Sequence, residues 1–376
     1  MIKFIFWFSF VTIFYAYVGY PVLMSVFASF RKRKVLPELS KYPKVSIIIP
    51  VFNEEDVIQK KIENCLEFDY PREKMEILIG SDGSTDRTND ILEGFRNKGI
   101  KYLLSYQRHG KPYTINKLVE VSRGEILFFT DARQIIQKDA IIKLVKNFQD
   151  AKIGCVSGEL IYREDASITR RGVGAYWEYE KYIREKESNF YSMIGATGAI
   201  YACRKDLFEA LPEDIILDDL YTPFMAVRKG YRAIFEREAK AYDITAETPR
   251  DEYRRKIRTL AGNYQIFFKL PTMLNPFKSK LAFQIISHKL LRLLVPFFMI
   301  TLFLSSLTLS GELFYNIFFI VQSVFYLMAL VEALFRRRIK RIFGVPYLFC
   351  LLNFSALIGL RDFLFNRIDV KWGKAR

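Results

Sequence analysis

Val45-Ser46-Ile47-Ile48-Ile49-Pro50-Val51-Phe52-Asn53-Glu54-Glu55 is the stretch that decides how this chain folds. Its first half is a β-branched run closed by proline, which predicts a short strand buried in a parallel sheet. Its second half turns acidic, with Asn53 placed to cap a helix opened by Glu54, Glu55 and Asp56. Two later segments have the same shape. Met75–Gly80 stops at Ser81-Asp82-Gly83-Ser84, and Glu125–Phe129 runs into Thr130-Asp131. Strands alternating with helix-length segments predict a doubly wound α/β sheet. Ligands of such sheets sit outside the carboxyl ends of the strands, where Asn53, Asp82 and Asp131 fall.

Outward from this core the chain becomes apolar and basic. Its net charge is +16 over 376 residues, which invites a nucleic-acid reading. The charge is not on the central body. Residues 44–249 are net −3, whereas residues 1–43 are net +5, residues 250–280 net +6 and residues 281–376 net +8. Basic residues beside apolar segments mark a membrane protein, so nucleic acid is not expected as a partner. Phe4–Phe30 is 27 residues without a charge, enough to span a bilayer, and Arg31-Lys32-Arg33-Lys34 follows it like a stop-transfer flank rather than a cleavage site. Leu293–Gly311 and Leu313–Val331, parted only by Glu312, read as a hairpin followed by Arg336-Arg337-Arg338 and Lys340-Arg341. The positive-inside rule puts both basic clusters, and residues 31–280 with them, in the cytoplasm. Ile342–Leu360 is a third 19-residue run, either a span or a re-entrant segment, because a span would leave the basic tail outside. Leu281–Arg292 reads as interfacial.

Cys65, Cys155, Cys203 and Cys350 have no pairing or metal-like spacing, and His109 and His288 are the only histidines. A disulfide framework, a histidine metal site and a Ser-His-Asp triad are therefore not expected.

The order and wording of four motifs carry more than their composition. Val45–Glu55 (VSIIIPVFNEE), Ile77–Asp86 (ILIGSDGSTD), Gly110–Asn116 (GKPYTIN) and Leu127–Arg133 (LFFTDAR) follow one another. This set resembles the family 2 glycosyltransferases of GT-A fold, a Rossmann-like nucleotide-diphospho-sugar transferase fold, in the membrane-embedded branch with the cellulose and hyaluronan synthases. The resemblance covers about residues 44–265. It implies segments at 1–30 (membrane helix), 31–43 (basic linker), 44–265 (GT-A domain), 266–292 (interfacial), 293–335 (membrane hairpin) and 336–376 (basic loop, third apolar segment and tail).

The resemblance also implies roles. Pro50, Asn53, Glu54 and Asp82 frame the nucleotide pocket, and Lys111 faces the nucleotide or its diphosphate, with Asn116 supporting that loop. A turn aspartate at 82, a plain helix cap at 53 and a solvated lysine at 111 are the alternatives. Asp131 stands where the family carries Asp-x-Asp, which holds Mg²⁺ or Mn²⁺ on the diphosphate. Here the triplet is Asp131-Ala132-Arg133. Either Asp131 keeps the metal with phosphate oxygens, or guanidinium charge replaces it. We expect the metal to be kept.

Gly195, Thr197, Gly198 and Arg204, in Gly195–Arg204 (GATGAIYACR), resemble the acceptor-side segment; glycines that only permit packing are the alternative. Leu217-Asp218-Asp219-Leu220 resembles the family's acidic pair, with Asp219 as catalytic base and Asp218 supporting it. Gly230 is the expected cap of the helix that follows. In Glu252–Gln265 the processive branch shows Gln-x-x-Arg-Trp. This chain has Arg255, Arg258 and Thr259 at those places, with Tyr264 as a substitute aromatic face. Arg255 and Arg258 would lie under the diphosphate.

The expectation is an inverting transferase that moves a sugar from a nucleotide donor, UDP-linked, to a glycan or lipid-linked acceptor at the cytoplasmic face of the inner membrane. Such an enzyme works among membrane lipids and envelope-biosynthesis proteins. Single transfer to a polyprenyl lipid and a non-catalytic nucleotide-sugar scaffold are the alternatives.

Overall fold

The computed structural model describes residues 1–31, 37–39, 41–163, 168–244, 249–335 and 344–367; side chains of 163–175 and 244–252 are outside the description. Most of both internal basic clusters, Lys32–Lys34 and Arg336–Arg341, and the tail beyond Arg367 therefore lie outside the described residues. The chain divides into two compact units.

The first unit is built on an eight-stranded sheet and falls within residues 31–164 and 187–251. Its strands are β1 (Val45–Val51), β2 (Met75–Asp82), β3 (Ile100–Ser105), β4 (Ile126–Phe129), β5 (Ile135–Ile136), β6 (Ile153–Arg163), β7 (Tyr201–Arg204) and β8 (Arg232–Ile244). They lie in the order β3-β2-β1-β4-β7-β6-β8-β5. The first four are mutually parallel, as the alternation of strands and helices requires. All seven residues of β1 and all four of β4 are buried, which explains their unbroken apolar wording. Beyond β4 the sheet becomes mixed. β7 runs antiparallel to β4 and β6, and β5 runs antiparallel to β8. The helices Ile58–Leu66 and Lys111–Val121 follow β1 and β3 respectively.

Gly230 ends the Asp218–Arg228 helix as expected. It sits at φ +92, and Gly230 and Tyr231 donate their amides to Val227 and Ala226. Asn53 behaves differently from a helix cap. It sits at φ +53, its side chain accepts the Thr85 amide, and the helix begins at Ile58 with no side-chain cap. The second polar loop competes successfully for Asn53, because a left-handed backbone turns the amide group toward it.

The second unit comprises residues 1–30, 165–186 and 252–368. Among the described residues it holds four helices long and apolar enough to cross a membrane: Ile2–Ser29, Ala282–Thr308, Leu313–Phe335 and Gly344–Leu364. Residues 282–292, the stretch read as interfacial, are continuous with the second of these. Polar side chains cross-link the bundle. Ser9 and Thr301 hydroxyls meet at 2.8 Å, and Gln322 Nε2 donates to Ser306 Oγ at 3.1 Å. Arg292 pairs with Glu180 of the Ile168–Phe190 helix, and His288 Nε2 lies 3.2 Å from the same carboxylate. Gly359 brings the last helix against the Pro249–Lys269 helix, where a Cβ would lie 3.1 Å from Ala261 N.

Candidate active site

The site is assembled at the carboxyl ends of β1, β2 and β4. Asp82 ends β2 fully buried. Its Oδ1 accepts the His109 amide and its Oδ2 the Gly110 amide, both at 2.8 Å. Gly83 follows at φ +70, where a Cβ would lie 2.9 Å from the Arg108 amide nitrogen, so only glycine fits this crossing. Asp82 thereby fixes Gly110 (φ +113), the residue that starts the Lys111–Val121 helix. Its bonds reach 27 and 28 residues along the chain and not its own turn.

A second clasp joins the loops after β1 and β2. Asn53 N donates to Ser84 Oγ, Glu54 N to Thr88 Oγ1 and Glu55 N to Asp86 Oδ2. Pro50 is buried in β1 opposite Gly80. Asn116 joins a different pair of segments than the loop beside it, exchanging two hydrogen bonds with Leu211.

Lys111 points into a group of carboxylates. Its Nζ lies 2.9 Å from Asp131 Oδ1 and 3.2 Å from Asp218 Oδ1. Asp219 completes the group. Its Oδ2 accepts the Gly198 amide at 3.0 Å, and its main-chain carbonyl accepts the Ala196 amide at 2.8 Å. Asp219, Lys111 and Asp131 converge on Gly198, and Asp218 joins them through Lys111. A Cβ on Gly198 would stand 3.5 Å from Asp219 Oδ2, 3.6 Å from Lys111 Nζ and 3.7 Å from Asp131 Oδ2. Those are ordinary contacts, so Gly198→Ala should keep activity within a few-fold. Gly198→Val must push a methyl into the charged group, and a displacement of about 1 Å there costs roughly 100-fold in turnover. Initial rates of the two variants check this.

Burial and the adjacent Asp218 charge raise the Asp219 carboxyl to about 6, against the Lys111 ammonium and the Gly198 amide, which pull it down. Burial alone would lower the Lys111 pKa; the carboxylates of Asp131, Asp218 and Asp219 outweigh it and hold the ammonium above its ordinary value. A base near neutrality beside a fixed cation suits removal of a proton from a hydroxyl.

Residues 46–212 match the profile described as Glycosyl transferase family 2. The chain carries a family 2 glycosyltransferase domain over that segment. Among curated relatives, the probable glycosyltransferase YdaM of Bacillus subtilis (strain 168) is 26% identical over 61% of this chain. The poly-β-1,6-N-acetyl-D-glucosamine synthase of Staphylococcus aureus (strain MSSA476) is 23% identical over 66% of it. The chain spans 58% of the length of the first and 65% of the second. Among solved structures, the mannosyltransferase PcManGT from Pyrobaculum calidifontis, in complex with GDP-Man and Mn²⁺, superposes with a TM-score of 0.74 at 21% identity. That match covers 98% of this chain and 100% of the mannosyltransferase, and it shows the GT-A fold.

Not every residue singled out in the sequence joins the group. Gly195 serves close packing, since a Cβ there would lie 2.9 Å from Leu220 Cδ1. Thr197 donates its amide to Ser157 Oγ. Arg204 pairs with Ile126, at the opposite end of β4 from Asp131, and spends its guanidinium on the carbonyls of Ile153 and Phe148. Arg255 and Arg258 are carried by the Pro249–Lys269 helix, in the helical unit from Glu252 onward. There Tyr264 is buried, with its hydroxyl on the Leu293 carbonyl, so its ring is part of the packing. Arg133 extends to Asp243 of β8 at 3.5 Å.

Two residues of the site escaped the sequence reading. Lys61 is fully buried in the Ile58–Leu66 helix and reaches the Thr130–Gln134 turn, and Asp243 anchors the far side of that turn. Lys61 had one visible signal. It lies three residues after Ile58 and four before Cys65, a charge within an otherwise apolar helical stripe.

Proposed function

We propose that the chain is an inverting glycosyltransferase that moves a sugar from a nucleoside-diphosphate donor to an acceptor hydroxyl. The observation that carries this reading is the convergence of Asp219, Asp131 and Lys111 on the Gly198 backbone, with Asp218 paired to Lys111. Asp219 takes the acceptor's proton while the oxygen forms its bond to the anomeric carbon. The bond from that carbon to the phosphate oxygen breaks, and its electron pair leaves with the nucleoside diphosphate. Lys111 places one positive charge beside the departing group. Asp218 holds Lys111 in place. Arg255 and Arg258 are proposed to add charge to the diphosphate, and Gly195, Thr197 and Gly198 to form the acceptor-side backbone. Pro50, Asn53, Glu54 and Asp82 build the frame for the nucleotide.

Asp131 fits a divalent cation. Its carboxylate is 40% exposed, and Mg²⁺ or Mn²⁺ commonly takes one or two carboxylates and fills its remaining positions with substrate phosphates. Among the described residues there is no group of three or more His, Cys, Asp or Glu that could hold an ion without such phosphates. When bound, the cation supplies charge that eases departure of the diphosphate. The pairing of Arg133 with Asp243 favours a retained cation over a guanidinium replacement.

The sugar acceptor is proposed to be a glycan or lipid-linked chain in envelope polysaccharide synthesis, with the sheet unit on the cytoplasmic side of the inner membrane and the four apolar helices across it. Thr259 in place of tryptophan, and Tyr264 taken up in packing, favour a single transfer to a lipid-linked acceptor over processive polymerisation. The test is a panel of UDP- and GDP-sugars offered to membranes holding the protein, with product length read on gels. Transfer from one donor is expected, falling at least 10-fold in chelator and returning with Mn²⁺. Binding of the nucleotide-sugars without turnover would instead leave a scaffold. Full activity in chelator without added metal would remove the cation from the scheme.

A further inference from the structure

The turn that carries Asp131 is held from beneath by a charge that the chemistry above does not use. Lys61 is 0% exposed. Its Nζ donates to Thr130 Oγ1 and to the Gln134 carbonyl, each at 2.8 Å. Those two acceptors bracket Asp131-Ala132-Arg133. One turn along the same helix, Asn64 exchanges two hydrogen bonds with the main chain of Ile136. From the other side Asp243 Oδ2 accepts Gln134 Nε2 at 2.9 Å and faces Arg133 Nη2 at 3.5 Å. The five-residue turn is thus sewn to a helix on one side and to β8 on the other.

A buried ammonium is a poor device for stability alone, since an apolar side chain of similar volume usually does as well. Burial pushes the Lys61 ammonium down to about 8, with Cys65, Asp131 and Asp243 partly restoring its charge. What the charge does provide is direction. Three N–H groups on one atom can fix two acceptors four residues apart, which no apolar side chain can do.

We propose that Lys61 is a positioning residue for Asp131: it sets the turn so that the carboxylate meets the donor's diphosphate and its cation, a job that the second acid of Asp-x-Asp leaves undone here. The proposal rests on Asp131 being the donor-side carboxylate. Lys61 touches neither donor nor acceptor and acts through the turn.

The test compares Lys61→Met, Thr130→Val and Asp131→Asn in the full chain in detergent. The readouts are calorimetric binding of Mn²⁺ with UDP and with GDP, donor KM and kcat separately, and thermal unfolding. For Lys61→Met we expect an unfolding temperature within a few degrees of wild type, nucleotide affinity and KM at least 10-fold weaker, and a smaller fall in kcat. Thr130→Val removes one acceptor and leaves the lysine; it should weaken binding about 3-fold. A merely structural role would lower the active fraction, and so the apparent kcat, without moving KM or affinity. Lys61→Met with wild-type affinity overturns the proposal, as does a Lys61→Met that fails to fold beside a Thr130→Val that binds normally. Asp131→Asn separates the two levels. If it too binds normally, the donor-side role of Asp131 fails; if it binds weakly while Lys61→Met does not, only Lys61 falls.

Discussion

Asp219→Asn is expected to lower turnover by about 10²- to 10⁴-fold, the usual contribution of a positioned general base, while donor binding stays near wild type. The substitution keeps the shape and can still accept the Gly198 amide, so the loss reports the missing proton acceptor and not a collapsed site. The wild-type pH profile should carry the same signature. The base must be ionised to act, and its carboxyl is held at about 6, so kcat/KM should fall tenfold per pH unit below that value. In Asp219→Asn that acid limb should vanish from the residual rate. The stability consequence has a definite sign. The folded carboxyl titrates above its unfolded value, so the folded state holds an extra proton between about pH 4 and 6. Ionised Asp219 is therefore a cost above pH 6, relieved as pH falls toward 4. The variant should be more stable than wild type at pH 7.5, by roughly 3 kcal/mol at most, and should lose that advantage at pH 4. Thermal unfolding at the two pH values reads it. A folded, donor-binding Asp219→Asn with wild-type turnover would end the base assignment.

The same site shows which parts of a fold are written locally. β1, β2 and β4 could be read because burial on both faces forces continuous apolar runs. β6 and β8 are the longest strands, yet Arg232–Ile244 alternates charge with small and aromatic residues and carries no such run. Its pairing partner, β6, lies about 80 residues away and is invisible to a local window. Asn53 was legible as a polar residue after a strand, but its partner Thr85 is 32 positions on, and that contact overrides helix capping. Asp82 was legible as a special residue, although the structure spends both its oxygens on backbone amides. Arg204 shared a motif with Gly198, but the four-residue length of β7 carries it to the far end of β4. Lys111, Asp131 and the Asp218-Asp219 pair were named from three separate motifs; the meeting of Lys111, Asp131 and Asp219 on Gly198 is a property of the sheet order and of nothing local.

Removing the cation at the centre should be the most disruptive single change after loss of the base. Lys111→Met leaves Asp131, Asp218 and Asp219 facing one another without the ammonium that two of them contact directly. Stranding the carboxylates in this way costs roughly 3 kcal/mol, and the loss should be greatest at high pH, where Asp219 is ionised, and should shrink as pH falls and Asp219 takes a proton. Turnover should fall at least 100-fold, because the charge facing the departing diphosphate is gone. The pH profile decides between this account and a solvated loop lysine. Lys111 lowers the Asp219 pKa in the intact site, so its removal must raise it and shift the acid limb of kcat/KM to higher pH. Lys111→Arg keeps the charge but replaces a compact ammonium with a planar fork, and should hold the limb near its original place while recovering only part of the rate. An acid limb that stays where it was in Lys111→Met would mean that the lysine does not feel the catalytic carboxylate, and the four-residue cluster would no longer account for the reaction.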